Sequence, residues 1–255
     1  MRVTILGSGA AGGVPMISAG WGNCDPNEPR NRRLRPSILV QDQGQTILVD
    51  SSPDMREQLL RAEIRHLDAV LFTHGHADHT HGIDDLREVN RAMQASIPVF
   101  GSQETLDDIA KRFGYVFEPL DFSTTPIYKP CLIPHVVGDA FPLGGLSITP
   151  IEQDHGYAMT TGFRFGKMAY STDVWELPES SLAKLEGLDL WIVGCLLDVP
   201  HPTHAHVDKV LGWVERLKPK RTVLTHMSPR LDYATLRAQL PDGVEPGYDG
   251  QQFEL

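Results

Sequence analysis

The segment Ala69-Val-Leu-Phe-Thr-His-Gly-His-Ala-Asp-His79 joins a short apolar run to a dense group of ligand-type side chains. Its first five residues are typical of a buried β-strand, which ends where the polar turn begins. Imidazole and carboxylate groups bind zinc, manganese and iron, and alternate side chains of a tight turn can diverge toward two neighbouring ions. A solvated histidine-rich loop is the alternative, but such a density of ligand types directly after a strand disfavours it. The predicted ligands are His74, His76, Asp78 and His79.

Three further ligand-type residues follow predicted strands: His155, Asp173 and His226. Functional groups of a layered α/β fold collect where strands end, so four strand-end clusters can converge on one edge. Taken singly, each of these two histidines would be interpreted as a hydrogen-bonded structural residue. The four clusters together instead predict one metal site. Asp50, at another strand end, is predicted to orient ligand histidines by hydrogen bonds. His81 is likewise predicted to support the ligands without binding metal itself.

Composition excludes several classes of protein. The chain has 255 residues, of which 41% are hydrophobic, and 23 Lys and Arg against 33 Asp and Glu give a net charge of −10. Such a chain can bury a core, and its acidity disfavours binding to large nucleic acids. Three widely spaced cysteines argue for a reducing compartment, so we expect a cytoplasmic protein. The apolar run Leu190–Leu197 is too short to span a membrane, and glycines break the uncharged N-terminus, so no membrane association is predicted.

Strands and helices alternate along the chain, which predicts a single α/β domain over residues 1–255. Strands are predicted at Arg2–Leu6, Ser37–Gln41, Thr46–Asp50, Ala69–Thr73, Pro98–Gly101, Leu146–Ile151, Gly162–Phe165, Met168–Ser171, Leu190–Gly194 and Arg221–Thr225. Helices are predicted at Pro53–Arg61, Asp84–Met93, Gln103–Phe113, Val207–Leu217 and Asp232–Leu240. Tyr115–Gly145, rich in proline and aromatic residues, is interpreted as an irregular surface excursion that could form a rim or lid.

The spacing of the ligand-type residues resembles that of the metallo-β-lactamase superfamily, whose His-X-His-X-Asp-His signature stands here at 74–79. The resemblance implies an αββα sandwich of two mixed sheets flanked by helices, with two divalent ions, Zn²⁺ or Mn²⁺. It assigns one ion to His74, His76 and His155, the other to Asp78, His79 and His226, and makes Asp173 the bridge between them. Antibiotic hydrolysis is disfavoured, because the best-known zinc β-lactamases carry cysteine at the position of Asp173.

Two glycine-containing segments, Gly7–Pro15 and Gly247-Tyr-Asp-Gly250, extend the resemblance to the PhnP-like phosphodiesterases, a branch near tRNase Z. Considered apart from this resemblance, the pattern Gly7-X-Gly-X-X-Gly12 after a strand would suggest dinucleotide binding, but no helix pattern follows it. These glycines are instead expected to let the backbone pass close to the sheet edge that carries the metal ligands. The family's structural zinc is not expected, since Cys24 stands alone in its loop and Pro229 replaces the further histidine.

Asp78 and His204 are the predicted catalytic residues. His204 precedes a helix and stands where the PhnP-like family has a histidine that contacts phosphate, so it could bind a phosphoryl oxygen or protonate the leaving alkoxide. His206 and His201 are alternatives for that role, and His206 is also a candidate for substrate binding. The basic residues Arg30, Arg32, Arg33 and Arg35 are either salt-bridged or available to attract substrate charge.

The resulting hypothesis is a binuclear phosphodiesterase that cleaves small nucleotide-type or cyclic phosphate esters with a metal-bridging hydroxide. A small phosphate ester or nucleotide is the expected partner, and a homodimer is left open. Three alternatives remain: a thioester hydrolase of the glyoxalase II kind, a tRNA 3'-processing nuclease, and a non-enzymatic metal-dependent protein of a cofactor pathway.

Overall fold

Two seven-stranded sheets lie face to face in the computed structural model, which describes residues 1–255. The strands are β1 (Arg2–Gly7), β2 (Ser37–Asp42), β3 (Gln45–Val49), β4 (Ala69–Leu71), β5 (Ile97–Gly101), β6 (Leu132–Val136), β7 (Phe141–Leu143), β8 (Leu146–Asp154), β9 (Met159–Phe165), β10 (Met168–Ser171), β11 (Leu190–Gly194), β12 (Arg221–Thr225), β13 (Val244–Pro246) and β14 (Gln252–Glu254). The α-helices are α1 (Met55–Arg61), α2 (Ala77–Thr80), α3 (Leu86–Met93), α4 (Gln103–Phe113), α5 (Glu179–Lys184), α6 (Val207–Leu217) and α7 (Tyr233–Gln239). None of these helices combines the length and the apolar character needed to cross a membrane.

The strand order is β14-β1-β2-β3-β4-β5-β6 in one sheet and β13-β12-β11-β10-β9-β8-β7 in the other. Both sheets are mixed, because each combines a parallel set with antiparallel strands. Helices cover the outer face of each sheet, as the three apolar cores described below show. The predicted αββα sandwich is confirmed.

Alternate residues of the strands supply different cores. Ile47 and Val49 of β3 lie in a buried cluster of 18 residues between the sheets, where Phe163 and Ile192 come from the opposite sheet. Leu48 points the other way, into a cluster of 17 residues shared with α1, α3 and α4. A third cluster of 19 residues joins the second sheet to α5, α6 and α7. The period-2 pattern of the strands thus fixes three apolar layers.

The interpretation of Tyr115–Gly145 as an irregular excursion is wrong for its second half, whereas residues 118–131 form neither helix nor strand. Within that second half, β6 pairs in parallel with β5 and β7 pairs antiparallel with β8, so each forms an outer strand of its sheet. Each strand contains a proline, which removes an amide donor and is tolerated at a sheet edge. Four further elements, each of six residues or fewer, are not predicted by the sequence pattern: α2, α5, β13 and β14.

The carboxyl ends of the strands that carry the predicted ligands meet at one edge. Strands β10, β11 and β12 are parallel, and β8 runs in the same direction because β9 is antiparallel to both of its neighbours. The two sheets are joined at this edge by backbone hydrogen bonds. The amide of Thr161 donates to the carbonyl of Thr73 at 2.9 Å, and that of Met227 donates to Ser8 at 2.9 Å.

Asp249, in the C-terminal Gly-Tyr-Asp-Gly turn, holds the N-terminal loop in place. Its carboxylate accepts hydrogen bonds from the Ser8 amide at 2.9 Å, the Ser8 hydroxyl at 2.8 Å and the Leu34 amide at 2.7 Å. Burial raises the pKa of Asp249 to about 6, although these donors act in the opposite direction. The turn therefore fixes the loop that leads from β1 toward the candidate site.

Replacing this acceptor should destabilise the fold. We expect Asp249→Ala to lower the free energy of unfolding by about 2–4 kcal/mol, because three donors lose their partner. Urea denaturation at neutral pH measures the change. Asp242→Ala is the matched control, since Asp242 is exposed in the same C-terminal region and should change stability by less than about 0.5 kcal/mol. Equal, small effects of the two substitutions would contradict this role of Asp249.

Candidate metal centre

Seven histidine and aspartate side chains converge where β4, β8, β10 and β12 end. They form two groups, in each of which the potential ligand atoms lie within 4.8 Å of one another. The first group contains His74, His76, His155 and Asp173, and the second contains Asp78, His79, Asp173 and His226. All seven predicted ligands are therefore brought together, and Asp173 belongs to both groups.

The two carboxylate oxygens of Asp173 face different groups. Its Oδ2 lies 3.6 Å from Nε2 of His74 and 3.7 Å from Nε2 of His155. Its Oδ1 lies 3.2 Å from Nε2 of His79 and 3.2 Å from Nδ1 of His226. This arrangement suits a carboxylate that is shared by two cations.

Hydrogen bonds on the far side of three imidazoles aim their Nε2 atoms at the centre. Nδ1 of His79 donates to Oδ2 of Asp50 at 2.7 Å, and Nδ1 of His155 donates to the carbonyl of Thr203 at 2.7 Å. Nδ1 of His74 lies 3.0 Å from the hydroxyl of Thr73, which itself donates to Asp50. Such partners fix the tautomer and the ring orientation of metal ligands. Asp50 thus contacts His79 directly and His74 through Thr73.

Three buried atoms of the cluster that could ligate a metal make no well-aligned hydrogen bond, although two of them lie 3.2 Å from Oδ1 of Asp173. They are Oδ2 of Asp78, Nε2 of His79 and Nδ1 of His226. A buried polar atom without a partner costs free energy, and a bound cation would satisfy all three. Burial lowers the pKa of His226 to about 4, which leaves its ring neutral and able to ligate. The donor set of imidazole nitrogens and carboxylate oxygens fits divalent ions such as Zn²⁺ or Mn²⁺.

The two carboxylates of the cluster are ionised despite their burial. Burial raises the pKa of Asp78 and of Asp173, but neighbouring imidazoles outweigh it, chiefly His79 for the former and His226 for the latter. Both pKa values therefore fall below the ordinary aspartate value. Two negative charges are thus concentrated in a pocket that presents only histidines to neutralise them.

Three residues of the site have left-handed backbone conformations, with φ of 65° at Asp50, 48° at Asp173 and 57° at His226. This region is sparsely populated by residues other than glycine and costs on the order of 1 kcal/mol at each position. Asp50 and His226 directly follow a strand, and Asp173 lies two residues beyond the end of β10. The strained turn is therefore associated with placing a functional side chain at the sheet edge.

A cavity of about 510 Å³ opens over the two groups. His204 lies in its wall, with Nε2 3.3 Å from Oδ2 of Asp173 and Nδ1 2.8 Å from the Thr203 hydroxyl. His201 also lines the cavity, and its Nδ1 is 3.2 Å from the same hydroxyl. His206 occupies the position before the first residue of α6, makes no side-chain capping hydrogen bond there, and does not line the cavity.

His81 is not close to the ligands, contrary to the supporting role predicted for it. It follows α2 with an exposed side chain, and its ring packs edge-on against Phe113 at 5.5 Å. Two residues advance the chain by roughly 200° around a helix, so His79 and His81 project to opposite sides. A histidine two residues after a ligand therefore points away from the centre.

The glycine-rich segment after β1 forms a close-packed loop and is not followed by an α-helix before α1. A Cβ atom on Gly7 would stand 1.9 Å from the carbonyl oxygen of Arg35, and one on Gly9 would stand 2.9 Å from that of Leu34. Ala10, Ala11 and Gly12 then line the cavity. The dinucleotide-binding alternative is thus excluded, since its helix is missing.

The four arginines of the early loop do not line the cavity. Arg30 is paired with Glu28 at 2.7 Å, Arg32 lies over the ring of Trp21, and Arg35 is paired with Asp54 at 3.0 Å. Arg33 is buried, and donates to the carbonyl of Leu231 at 2.7 Å. Three of the four arginines, Arg30, Arg33 and Arg35, are therefore paired within the protein, which favours the interpretation of internal pairing, whereas Arg32 contacts the ring of Trp21.

Comparison with known proteins gives a consistent family. A model described as "Beta-lactamase superfamily domain" matches residues 45–227. A curated octanoyltransferase of Porphyromonas gingivalis is 33% identical over 256 residues, which is 98% of this chain and 51% of that protein. Coenzyme PQQ synthesis protein B of Methylorubrum extorquens is 29% identical over 84% of this chain and 79% of its own. The chain thus spans about half the length of the octanoyltransferase.

Among solved structures, a diphosphatase from the PhnP family is similar with a TM-score of 0.90 and 37% sequence identity. That similarity covers 99% of this chain and 97% of the other. Zinc-bound PqqB from Methylobacterium extorquens has a TM-score of 0.73 at 22% identity over the whole of both chains, which shows a shared fold.

The geometry predicts graded losses of metal. We expect about two ions per wild-type chain, about one in His76→Ala, and less than one in Asp173→Ala, because Asp173 alone belongs to both groups. Elemental analysis after metal loading and dialysis measures the content. His135→Ala is the control, since His135 lies on β6 outside both groups. Two ions retained by Asp173→Ala would show that it is not a shared ligand.

Cys24 is expected to hold no structural zinc. Its buried Sγ lies 3.5 Å from the carbonyls of Pro229 and Leu231 and 3.9 Å from Nη1 of Arg33. A single thiolate cannot close a tetrahedral zinc site. Cys24→Ser should therefore fold and keep the wild-type metal content, as should the buried control Cys131→Ser. Loss of one equivalent of zinc in Cys24→Ser alone would contradict this expectation.

Proposed function

The chain belongs to the beta-lactamase superfamily, and on that premise we propose that it is a phosphodiesterase that hydrolyses small nucleotide-type or cyclic phosphate esters with two divalent ions. The observation that carries the proposal is the position of Asp173 between two ligand groups, with His204 beside it in the cavity wall. The similarity to the PhnP-family diphosphatase supports phosphate chemistry in particular.

Each ion would be held by three residues of its own together with Asp173. His74, His76 and His155 serve one ion, and Asp78, His79 and His226 serve the other. Bound there, divalent ions supply Lewis acidity that polarises a phosphoryl group and activates water. The surrounding residues keep Asp78 and Asp173 ionised and His226 neutral, and burial limits the contact of Asp173 with solvent.

His204 is the proton donor to the leaving alkoxide in this proposal. Its Nε2 lies 3.3 Å from Oδ2 of Asp173, beside the centre at which a phosphate would bind, and it belongs to neither ligand group. Thr203 orients the ring through its hydroxyl, and the carbonyl of the same residue anchors His155. One residue thus sets the position of a ligand and of the acid together.

Acyl transfer is not proposed, despite the name of the octanoyltransferase relative. Covalent transfer on a thiol would require a cysteine at the cavity. Cys24, Cys131 and Cys195 are all buried, and none lines the cavity. Burial raises the pKa of the Cys195 thiol, which disfavours the thiolate needed for nucleophilic attack.

The decisive experiment compares two substrate classes on the metal-loaded protein. Hydrolysis of bis(p-nitrophenyl) phosphate, with little or none of S-lactoylglutathione, is the expected result. Asp173→Ala serves as the control for contaminating activity, since it should lose nearly all turnover. Preferential hydrolysis of the thioester would replace the proposed function with that of a glyoxalase II-like enzyme, and turnover of neither would favour a non-enzymatic role.

His204→Ala should separate the acid from the ligands. We expect it to retain both metal ions yet lose roughly 10²–10⁴ in kcat toward esters with alkoxide leaving groups. The loss should be smaller with p-nitrophenolate, because a good leaving group needs little protonation. Steady-state kinetics on 2',3'-cyclic AMP and on bis(p-nitrophenyl) phosphate measure the difference.

His206→Ala is the matched comparison, because sequence alone left this histidine as an alternative. An equal loss for both esters in His204→Ala would indicate phosphate positioning rather than proton donation. Dependence on the leaving group in His206→Ala instead would transfer the role to that residue.

A further inference from the structure

The chain beyond His226 is held by the loop between β1 and β2. His226 directly follows β12, and the chain then runs as a loop to α7. The amide of Asn23 donates to the carbonyl of Pro229 in this segment at 2.8 Å. A Cβ atom on Gly22, whose φ is 55°, would stand 2.6 Å from the same carbonyl oxygen. The two loops are therefore in close backbone contact, although about 200 residues of chain separate them.

The guanidinium of Arg33 is the central group of this contact. Its Nη1 donates to the carbonyl of Ser228 at 3.2 Å, and its Nη2 donates to the carbonyl of Leu231 at 2.7 Å. The residue is only 2% exposed, and its nitrogen atoms contact carbonyl and amide oxygens and the thiol of Cys24 rather than a carboxylate. Burial of an unpaired charge is costly, so the dipoles of these oxygens must face the guanidinium to offset that cost. The positions of the two carbonyls are fixed in return.

Asn31 extends the contact to the start of α7. Its Oδ1 accepts hydrogen bonds from Nη2 of Arg33 at 3.2 Å and from the amide of Tyr233 at 2.8 Å. Its Nδ2 donates to Oδ2 of Asp232 at 2.7 Å, and the residue is completely buried. Both ends of the segment that follows His226 are thus joined to side chains of the same early loop.

This segment bears on one side of the metal centre only. His226 belongs to the second ligand group and not to the first. Ser228, two residues later, lines the cavity, and its carbonyl is one of the two that Arg33 holds. The backbone of His226 has a φ of 57°, a conformation that residues other than glycine keep only when the surrounding structure enforces it. The chain beyond His226 must therefore be held if the imidazole is to stay in place.

These observations assign a task to a buried residue that lies outside the cavity. We propose that Arg33 is a positioning residue for the ion of the second ligand group. By fixing the chain beyond His226, its guanidinium keeps that imidazole where it can bind a metal ion. The contact includes no residue of the first ligand group, so the ion held there does not depend on it. The proposal rests on the metal centre of the proposed function and not on the identity of the substrate.

Metal binding in two backgrounds, each expected to retain one ion, tests the proposal. His76→Ala leaves the second group intact, and His226→Ala leaves the first group intact. Arg33→Met fills the buried space without donors. It should weaken Zn²⁺ binding roughly 10- to 100-fold in the His76→Ala background, as loss of a group that orients a ligand does, and by less than about twofold in the other. Calorimetric titration of the metal-free proteins with Zn²⁺ measures both dissociation constants.

Only a loss confined to the His76→Ala background supports the proposal. Equal weakening in the two backgrounds, weakening confined to His226→Ala, or no weakening in either would overturn it. Arg35→Met is the matched control, since Arg35 lies in the same loop but is paired with Asp54, and it should leave both dissociation constants within about twofold.

A second control separates positioning from loss of stability. Leu59→Ala removes a buried side chain from the cluster beneath α1, so it should lower the urea midpoint while changing neither dissociation constant by more than about twofold. A loss of Zn²⁺ affinity in Leu59→Ala equal to that in Arg33→Met would show that affinity follows stability, and would overturn the proposal.

Asn31→Ala keeps the test decisive if Arg33→Met does not fold. This variant retains the guanidinium but removes the acceptor that Arg33 shares with Tyr233, so it should weaken the same ion in the same background by a smaller factor. Unchanged Zn²⁺ binding in Asn31→Ala would then contradict the role of the contact.

Failure of this proposal is distinguishable from failure of the proposed function. A protein that hydrolyses no phosphodiester, but loses one ion selectively in Arg33→Met, would refute the proposed function and keep the assignment of Arg33. An active phosphodiesterase in which Arg33→Met binds both ions as tightly as the wild type would refute the assignment alone.

Discussion

The carboxylate of Asp173 lies between two groups of imidazoles, and its burial is costly unless positive charge faces both of its oxygens. The imidazole of His79 supplies part of that compensation, because burial lowers its pKa but the carboxylates of Asp78, Asp173 and Asp50 outweigh burial and raise it. Unpartnered atoms on Asp78, His79 and His226 show that the compensation is incomplete without cations. The rest of the structure can be understood as the framework that maintains this arrangement.

The framework has to place residues from both sheets at one edge to within a few tenths of an ångström. Strand direction provides the coarse placement, and backbone hydrogen bonds between Thr161 and Thr73 and between Met227 and Ser8 join the sheets beside the site. The left-handed turns at Asp50, Asp173 and His226 provide the fine placement. Their strain of a few kcal/mol in total is small beside the burial of three apolar clusters of 17 to 19 residues.

Much of this arrangement is predictable from the sequence because ligand types follow strands directly. The predicted strands agree with the observed ones to within a few residues, and the seven ligand-type residues do lie together. Edge strands were missed because proline interrupts the usual pattern in β6 and β7. The orientation of His81 depends on α2, a helix of four residues that the sequence pattern does not predict. Arg33 and Arg35 contact residues far along the chain, Leu231 and Asp54, which local spacing does not reveal.

Short segments of chain link the metal centre to the cavity wall. Tyr157 stands only two residues beyond His155, so the turn that contributes a ligand-type residue also places an aromatic ring in the lining of the cavity. Thr203 has a similar double role, because its carbonyl holds the ring of His155 and its hydroxyl contacts that of His204. The residues of the cavity wall are therefore held by the same segments that hold the ligands, and a change in the position of one would move the other.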